Sequence, residues 1–167
     1  LLPKLREAFP ENRIALSVTT VTGRLIAEEK LRNAATDVFY CPFDLVTLVR
    51  RVIDRVKPAA LVVIETEIWP TLFREVRRAG GATFLVNGRI SDRSYPRYRR
   101  IRWFLRTFLA ELDCLCMQNT LYAERIRAMG APEERVRVTG SLKFDASPSL
   151  LREGRGRVLP ERRRIWI

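Results

Sequence analysis

Two carboxylates stand where a buried strand ends. In the stretch VVIETEIWPTLF an unbroken apolar run meets Glu65 and Glu67, then Trp69 and Pro70. A carboxylate at the carboxyl edge of a sheet can hold a sugar hydroxyl or act on charge that develops in a transition state. The same residues also have a structural reading: both precede a helix opened by Pro70, whose dipole stabilises nearby negative charge. If the strand persists past Glu65, residues two apart share one face.

Three further loops carry polar chemistry. In TTVTGR, Thr20, Thr22 and Gly23 bring hydroxyls and free N–H groups to the start of a helix, which suits a phosphate or carboxylate. A threonine N-cap with a glycine spacer explains the same residues. In NGRISDRSYPRYRR, Asn87, Arg89, Ser91 and Ser94 form a polar loop, with Arg89 nearest the strand end and the best placed to bind an anion. Arg93, Arg97, Arg99 and Arg100 read either as more of that site or as a solvated basic face. The next helix mixes Trp103, Phe104, Leu105, Phe108 and Leu109 with Arg102 and Arg106; most of its apolar residues belong to a core, and a partial role at an anionic membrane surface is the alternative. In TGSLKFD, Lys143 and Asp145 lie between the last strand and a linker, so Lys143 either faces an interdomain cleft or is a surface lysine.

Composition limits what these residues can serve. Within 167 residues, 31 are Lys or Arg against 19 acidic, a formal net charge of +12 that calls for an anionic partner: nucleic acid, an acidic membrane or a phosphorylated substrate. Histidine is absent from the sequence, which removes the commonest general base and metal ligand, and no metal site is expected. Cys41, Cys114 and Cys116 are expected to be buried small hydrophobes in a reducing compartment, the last two on one face of a strand. No apolar run approaches the roughly 20 residues of a membrane span.

The elements that position these loops alternate from end to end. RIALSVT, DVFY, AALVVIE, ATFLV, DCLCMQ and RVRVTG read as strands. TGRLIAEEKLR, FDLVTLVRRVIDRV, the segment opened by Pro70, RYRRIRWFLRTFLAEL and TLYAERIRAMG read as helices between them. Strands apolar throughout are buried on both faces, so the expected fold is α/β, a Rossmann-like, doubly wound parallel sheet with helices on each side. Three regions are expected: a domain over 1–145, a Pro-, Gly-, Ser- and Arg-rich linker over 146–160, and a strand over 161–167 that opens a second domain.

ETEIWP, YCPFD, NGRISDRS and TGSLKFD, in this order and spacing, resemble the bacterial 3-deoxy-D-manno-octulosonate (Kdo) transferases of lipopolysaccharide biosynthesis. The resemblance runs over the whole chain. It implies the N-terminal, acceptor-binding half of a GT-B glycosyltransferase, which transfers Kdo with inversion from CMP-Kdo to the lipid A precursor, lipid IVA. CMP-Kdo would be held mainly by a C-terminal domain, with no cofactor and no protein-bound metal. By the same resemblance Glu65 and Lys143 are the transition-state stabilisers; Thr20, Thr22, Gly23, Glu67, Asn87, Arg89 and Ser91 line the acceptor side. The general base sits in a Gly-Glu motif that would precede Leu1, so this chain alone is expected to be inactive. The implied location is the cytoplasmic face of the bacterial inner membrane, on an anionic lipid surface. One departure is visible: the family's Asn-Ala-Arg-Leu-Ser is Asn87-Gly88-Arg89-Ile90-Ser91 here, with the polar positions intact. The rival readings are a GT-B enzyme with another acceptor and a basic nucleic-acid-binding module. The second lacks any zinc pattern or ribonucleoprotein aromatic motif, so no nucleic-acid partner is expected.

Overall fold

A computed structural model describes residues 1–31, 33–142 and 164–167. After helix α1 (Leu2–Ala8), strands and helices alternate: β1 (Ile14–Val18), α2 (Val21–Lys30), β2 (Asp37–Tyr40), α3 (Val46–Val56), β3 (Pro58–Ile64), α4 (Pro70–Arg78) and β4 (Ala82–Gly88). Two short helices follow, α5 (Tyr95–Arg100) and α6 (Arg102–Leu109), then β5 (Cys114–Met117), α7 (Thr120–Ala128), β6 (Val136–Val138) and β7 (Arg164–Trp166). The strands form one parallel, seven-stranded sheet in the order β2-β1-β7-β3-β4-β5-β6. This is the α/β, doubly wound arrangement expected from the apolar runs.

Both faces of the sheet are covered, which is why β3 reads as continuous apolar sequence. Leu61 and Val63 point to one face, against Val49 and Ile53 of α3, Leu72 and Val76 of α4, Phe108 of α6 and Ile126 of α7. Ala60 and Val62 point to the other, against Leu2 of α1 and Ala27 of α2. On the first face, α3 and α4 are tied by Glu75, whose side chain is only 6% exposed and bonds Arg50 at 2.7 Å and Arg78 at 2.7 Å. The hydrogen bond from Arg50 holds its carboxyl below the ordinary range against the push of burial, and Arg78 adds to the effect.

Residues 164–166 pair as β7 between β1 and β3, with Trp166 fully buried against Phe39 at a ring separation of 5.5 Å. An apolar Ile-Trp-Ile segment gains its burial from any sheet interior that has room for it, and its sequence does not say which. The basic-aromatic helix breaks at Ile101 into α5 and α6, a one-residue interruption that leaves the apolar spacing nearly unchanged. The cysteines are half-buried rather than buried, all free, and Cys114 and Cys116 do share a face, with their sulfurs 3.8 Å apart.

Because every strand is parallel, the β1–α2, β2–α3, β3–α4 and β4–α5 loops all emerge at one edge. The chain steps outward from β1 to β2, then crosses back to β3. The carboxyl ends of β1 and β3 therefore flank the topological switch point, where open parallel sheets bind their ligands.

Candidate active site

The strand β3 stops at Ile64, and Glu65 turns the chain with φ 65°. That left-handed conformation is uncommon outside glycine and costs about 1–3 kcal/mol. The Glu65 N–H still donates to the Val86 carbonyl at 2.8 Å, so the turn is fixed to β4. Glu65 and Glu67 are thus no longer on one strand face, yet the turn brings both into one cleft of about 230 Å³ with Thr66, Arg89, Ser91, Ser94 and Tyr98.

Thr66 locks the two walls of that cleft together. Its hydroxyl donates to the Arg89 carbonyl and accepts the Arg89 N–H at 2.8 Å. Across the loop, Arg125 of α7 donates to the Ile90 carbonyl at 2.5 Å, pairs with Asp92, and lies 5.0 Å over the Tyr95 ring. Ser91 and Ser94 bond each other through their hydroxyls at 2.9 Å. The loop is therefore held at both ends while Arg89 projects into solvent. Among the described residues, neither the Glu65 carboxylate nor the Arg89 guanidinium has a hydrogen-bond or ion-pair partner. Glu67 accepts a hydrogen bond from the Trp69 indole at 3.1 Å.

The helix dipole does not account for these acids. The orphan N–H groups of α4 at Thr71 and Leu72 are taken by Asp44, which reaches over from the β2–α3 loop at 3.0 and 2.9 Å. With the cap supplied by Asp44, Glu65 is free for other work.

A second cleft, of about 280 Å³, opens beside the first at the ends of β1 and β3. Thr20, Gly23, Cys41 and Trp69 line it, and Glu67 lines both clefts. Here the structural reading of TTVTGR describes Thr20 and Gly23. Thr20 caps α2, its hydroxyl accepting the Gly23 N–H at 3.0 Å, and a Cβ on residue 23 would lie 2.9 Å from that oxygen. Thr22 is exposed on the first turn of α2 and lines neither cleft.

Asn87 lies beneath the site rather than in its lining. It is 6% exposed with φ 58°, a left-handed position that asparagine tolerates. Its carbonyl accepts from the Gln118 amide at 3.1 Å, and its side-chain oxygen accepts the Leu142 N–H at 3.1 Å. The chain just before Lys143 is thereby pinned to the end of β4; Lys143 itself lies outside the described residues. At Gly88 a Cβ would meet the Met117 sulfur at 2.6 Å, so the Met117 side chain of β5 fills the space beside it.

The matching family model is that of 3-deoxy-D-manno-octulosonic-acid transferase (kdotransferase), over residues 1–146. The chain belongs to this family. It is also 38% identical over 141 residues to a bifunctional glycosyltransferase/methyltransferase of Fusobacterium nucleatum, covering 84% of this chain and 22% of that protein. It is 30% identical over 150 residues to the 3-deoxy-D-manno-octulosonic acid transferase of Chlamydia trachomatis, covering 90% of this chain and 35% of that enzyme. With the transferase of Haemophilus influenzae it is 29% identical over 174 residues, covering 100% of this chain and 40% of that enzyme. The chain thus spans well under half the length of these relatives.

On a Kdo-transferase scaffold the first cleft has the groups a sugar phosphate asks for. Carboxylates accept sugar hydroxyls, serine hydroxyls do both, and a free guanidinium binds a phosphate or carboxylate through charge-assisted hydrogen bonds. Of the residues singled out in the sequence, the structure brings Glu65, Glu67, Arg89 and Ser91 together and sets Thr20 and Gly23 in the neighbouring cleft. Thr66, Tyr98 and Arg125 were not singled out for this cleft. Thr66 stood between two glutamates without a periodicity to mark it, and Arg125 looks like any surface arginine until α7 packs against the loop.

Proposed function

We propose that this chain is the acceptor-binding half of a GT-B Kdo transferase, which transfers Kdo from CMP-Kdo to the lipid A precursor with inversion. The observation that carries the reading is the unpaired Glu65 beside the unpaired Arg89 at the sheet's carboxyl edge. Two opposite charges, exposed and without a side-chain partner among the described residues, sit on neighbouring loops tied together by Thr66 and are available to a substrate.

In this reading Arg89 and Ser91 hold a phosphate of the acceptor, and Glu67 holds a sugar hydroxyl. An acceptor hydroxyl attacks the anomeric carbon from the face opposite CMP. The new C–O bond forms as the bond to the CMP phosphate breaks, and the hydroxyl proton passes to the base that the family resemblance puts outside residues 1–167. Glu65 stabilises positive character at the anomeric centre. Lys143 follows the segment pinned by Asn87 and offsets charge on the departing phosphate. CMP-Kdo is held by a second domain, and the enzyme works on the anionic cytoplasmic face of the inner membrane; no described helix is long and apolar enough to cross that membrane.

The test is incubation of the full-length protein with CMP-Kdo and lipid IVA, followed by mass spectrometry of the lipid. A product heavier by Kdo is expected. A lipid that stays unmodified while another glycosyl acceptor is consumed would replace this reading with that of a different GT-B enzyme.

A further inference from the structure

Strand β5 carries two thiols that neither cleft uses. Its alternate residues Leu115 and Met117 are fully buried in the core, so Cys114 and Cys116 lie together on the opposite face. Helices α1 and α2 cover β1 and β3 on that face, and no residue of β5 belongs to the cluster they form. The two thiols are half-buried and free, with their sulfurs 3.8 Å apart.

The charges around the pair favour a thiolate. Arg137 is the register partner of Cys116 on β6, exposed and without an ion-pair partner among the described residues. Asp113 lies beside Cys114, but Arg77 at 2.6 Å and the Thr83 N–H at 2.8 Å already hold its carboxylate. The hydrogen bond with Cys116, and after it the Arg137 guanidinium, push the Cys114 thiol down to about 6 against the effect of burial. The same bond and burial push Cys116 up. One sulfur is thus a nucleophile at neutral pH while its neighbour keeps its proton. A divalent metal fits less well: the described residues hold no group of three or more metal-ligating side chains, and an arginine stands on the same face.

The pair also has the reach to close. Residues two apart on a strand have Cα atoms about 6.6 Å apart, near the upper end of the roughly 4.4–6.8 Å that disulfides span. A bridge at that limit is strained and readily reduced, which makes it reversible.

We propose that Cys114 and Cys116 are a dithiol oxidation site, which a hydroperoxide converts to a reversible disulfide within β5. The Cys114 thiolate attacks one oxygen of hydrogen peroxide. The O–O bond breaks, a sulfenic acid forms on Cys114 and hydroxide leaves. The Cys116 sulfur then displaces the hydroxyl from the Cys114 sulfur. The S–S bond forms, and the Cys116 proton leaves with that hydroxyl as water. Two electrons pass from the sulfurs to the peroxide. The site is independent of the proposed function, since none of its groups lines either cleft.

The test treats the full-length protein with hydrogen peroxide at neutral pH and maps its tryptic peptides by mass spectrometry. The peptide 107–125, which holds both cysteines, is expected to lose two hydrogens and to regain them with dithiothreitol. In C116S the same peptide is expected to carry a sulfenic acid at Cys114, trapped by dimedone. With a small disulfide reagent near pH 6, Cys114 of the parent should react about tenfold faster than an ordinary thiol, because its larger thiolate fraction outweighs its lower nucleophilicity. R137K should keep that advantage, and R137Q should react about threefold more slowly. A peptide left unchanged by peroxide that oxidises free cysteine, one that goes straight to sulfonic acid, or one bridged only between two protein molecules would overturn the proposal. So would dimedone labelling of Cys116 in C114S as fast as that of Cys114 in C116S.

Discussion

Two loops leave the same edge of one sheet and are built differently. In the β1–α2 loop the Thr20 hydroxyl is spent on capping its own helix, and Gly23 is small because the cap needs the space. In the β3–α4 loop the cap is delegated to Asp44, 27 and 28 residues earlier in the chain and 3.0 and 2.9 Å from the N–H groups it serves. The local acids are thereby released. The contrast separates two kinds of polar residue that look alike in sequence: those that satisfy the backbone and those left over once the backbone is satisfied. Catalytic and binding groups are drawn from the second kind.

The largest effect that would sharpen this contrast is at Lys143. If it offsets charge on the leaving phosphate, Lys143→Ala in the full-length enzyme should lower kcat/KM by roughly 10² to 10³, the range for losing one such donor. Lys143→Arg should recover part of that, since a planar fork does not replace a compact ammonium. Undiminished turnover in the alanine variant would return Lys143 to the surface.

Next is Arg89. A charge-assisted hydrogen bond is worth about 1.5–3 kcal/mol, so Arg89→Ala should weaken acceptor affinity by about ten- to a hundredfold. The loss should be smaller with a dephosphorylated acceptor. Equal losses measured with both acceptors would take the phosphate away from Arg89.

The smallest effects test the capping side. Thr20→Ala should cost about 1 kcal/mol of stability, read as a lower denaturation midpoint, and leave kcat and KM near their parent values. Thr66→Val should cost a similar amount, about 0.5–1.5 kcal/mol for each hydrogen bond lost, and should also lower activity because it frees the Arg89 loop. A Thr20 variant with normal stability and a raised KM would show that the β1–α2 loop binds substrate after all.

Much of the fold was legible because β3 and its neighbours are apolar on both faces and the helices between them keep a regular stripe. Val49, Ile53 and Val56 of α3 illustrate this. What stayed hidden depends on which partner a residue finds across space. Asp44 reads as part of the α3 start and serves α4 instead. Asn87 reads as a polar loop residue and turns out to be 6% exposed, holding Leu142. A run of apolar residues does not name its neighbours, and residues 164–166 pair with β1 and β3. Glu65, Glu67, Arg89 and Ser91 line one cleft; strand ends are visible in sequence, and parallel sheets gather their carboxyl ends at one edge.

The central claim is that Glu65, held in a left-handed turn and without a partner among the described residues, acts on the transition state. Kinetics of Glu65→Gln in the full-length enzyme, with CMP-Kdo saturating and the lipid acceptor varied, address it most directly. The amide keeps the size and removes the charge. A fall in kcat of about 10² or more with an acceptor KM close to that of the parent is the expected result, the pattern of an interaction gained only in the transition state. An unchanged kcat with a raised KM would contradict the claim and make Glu65 a binding residue.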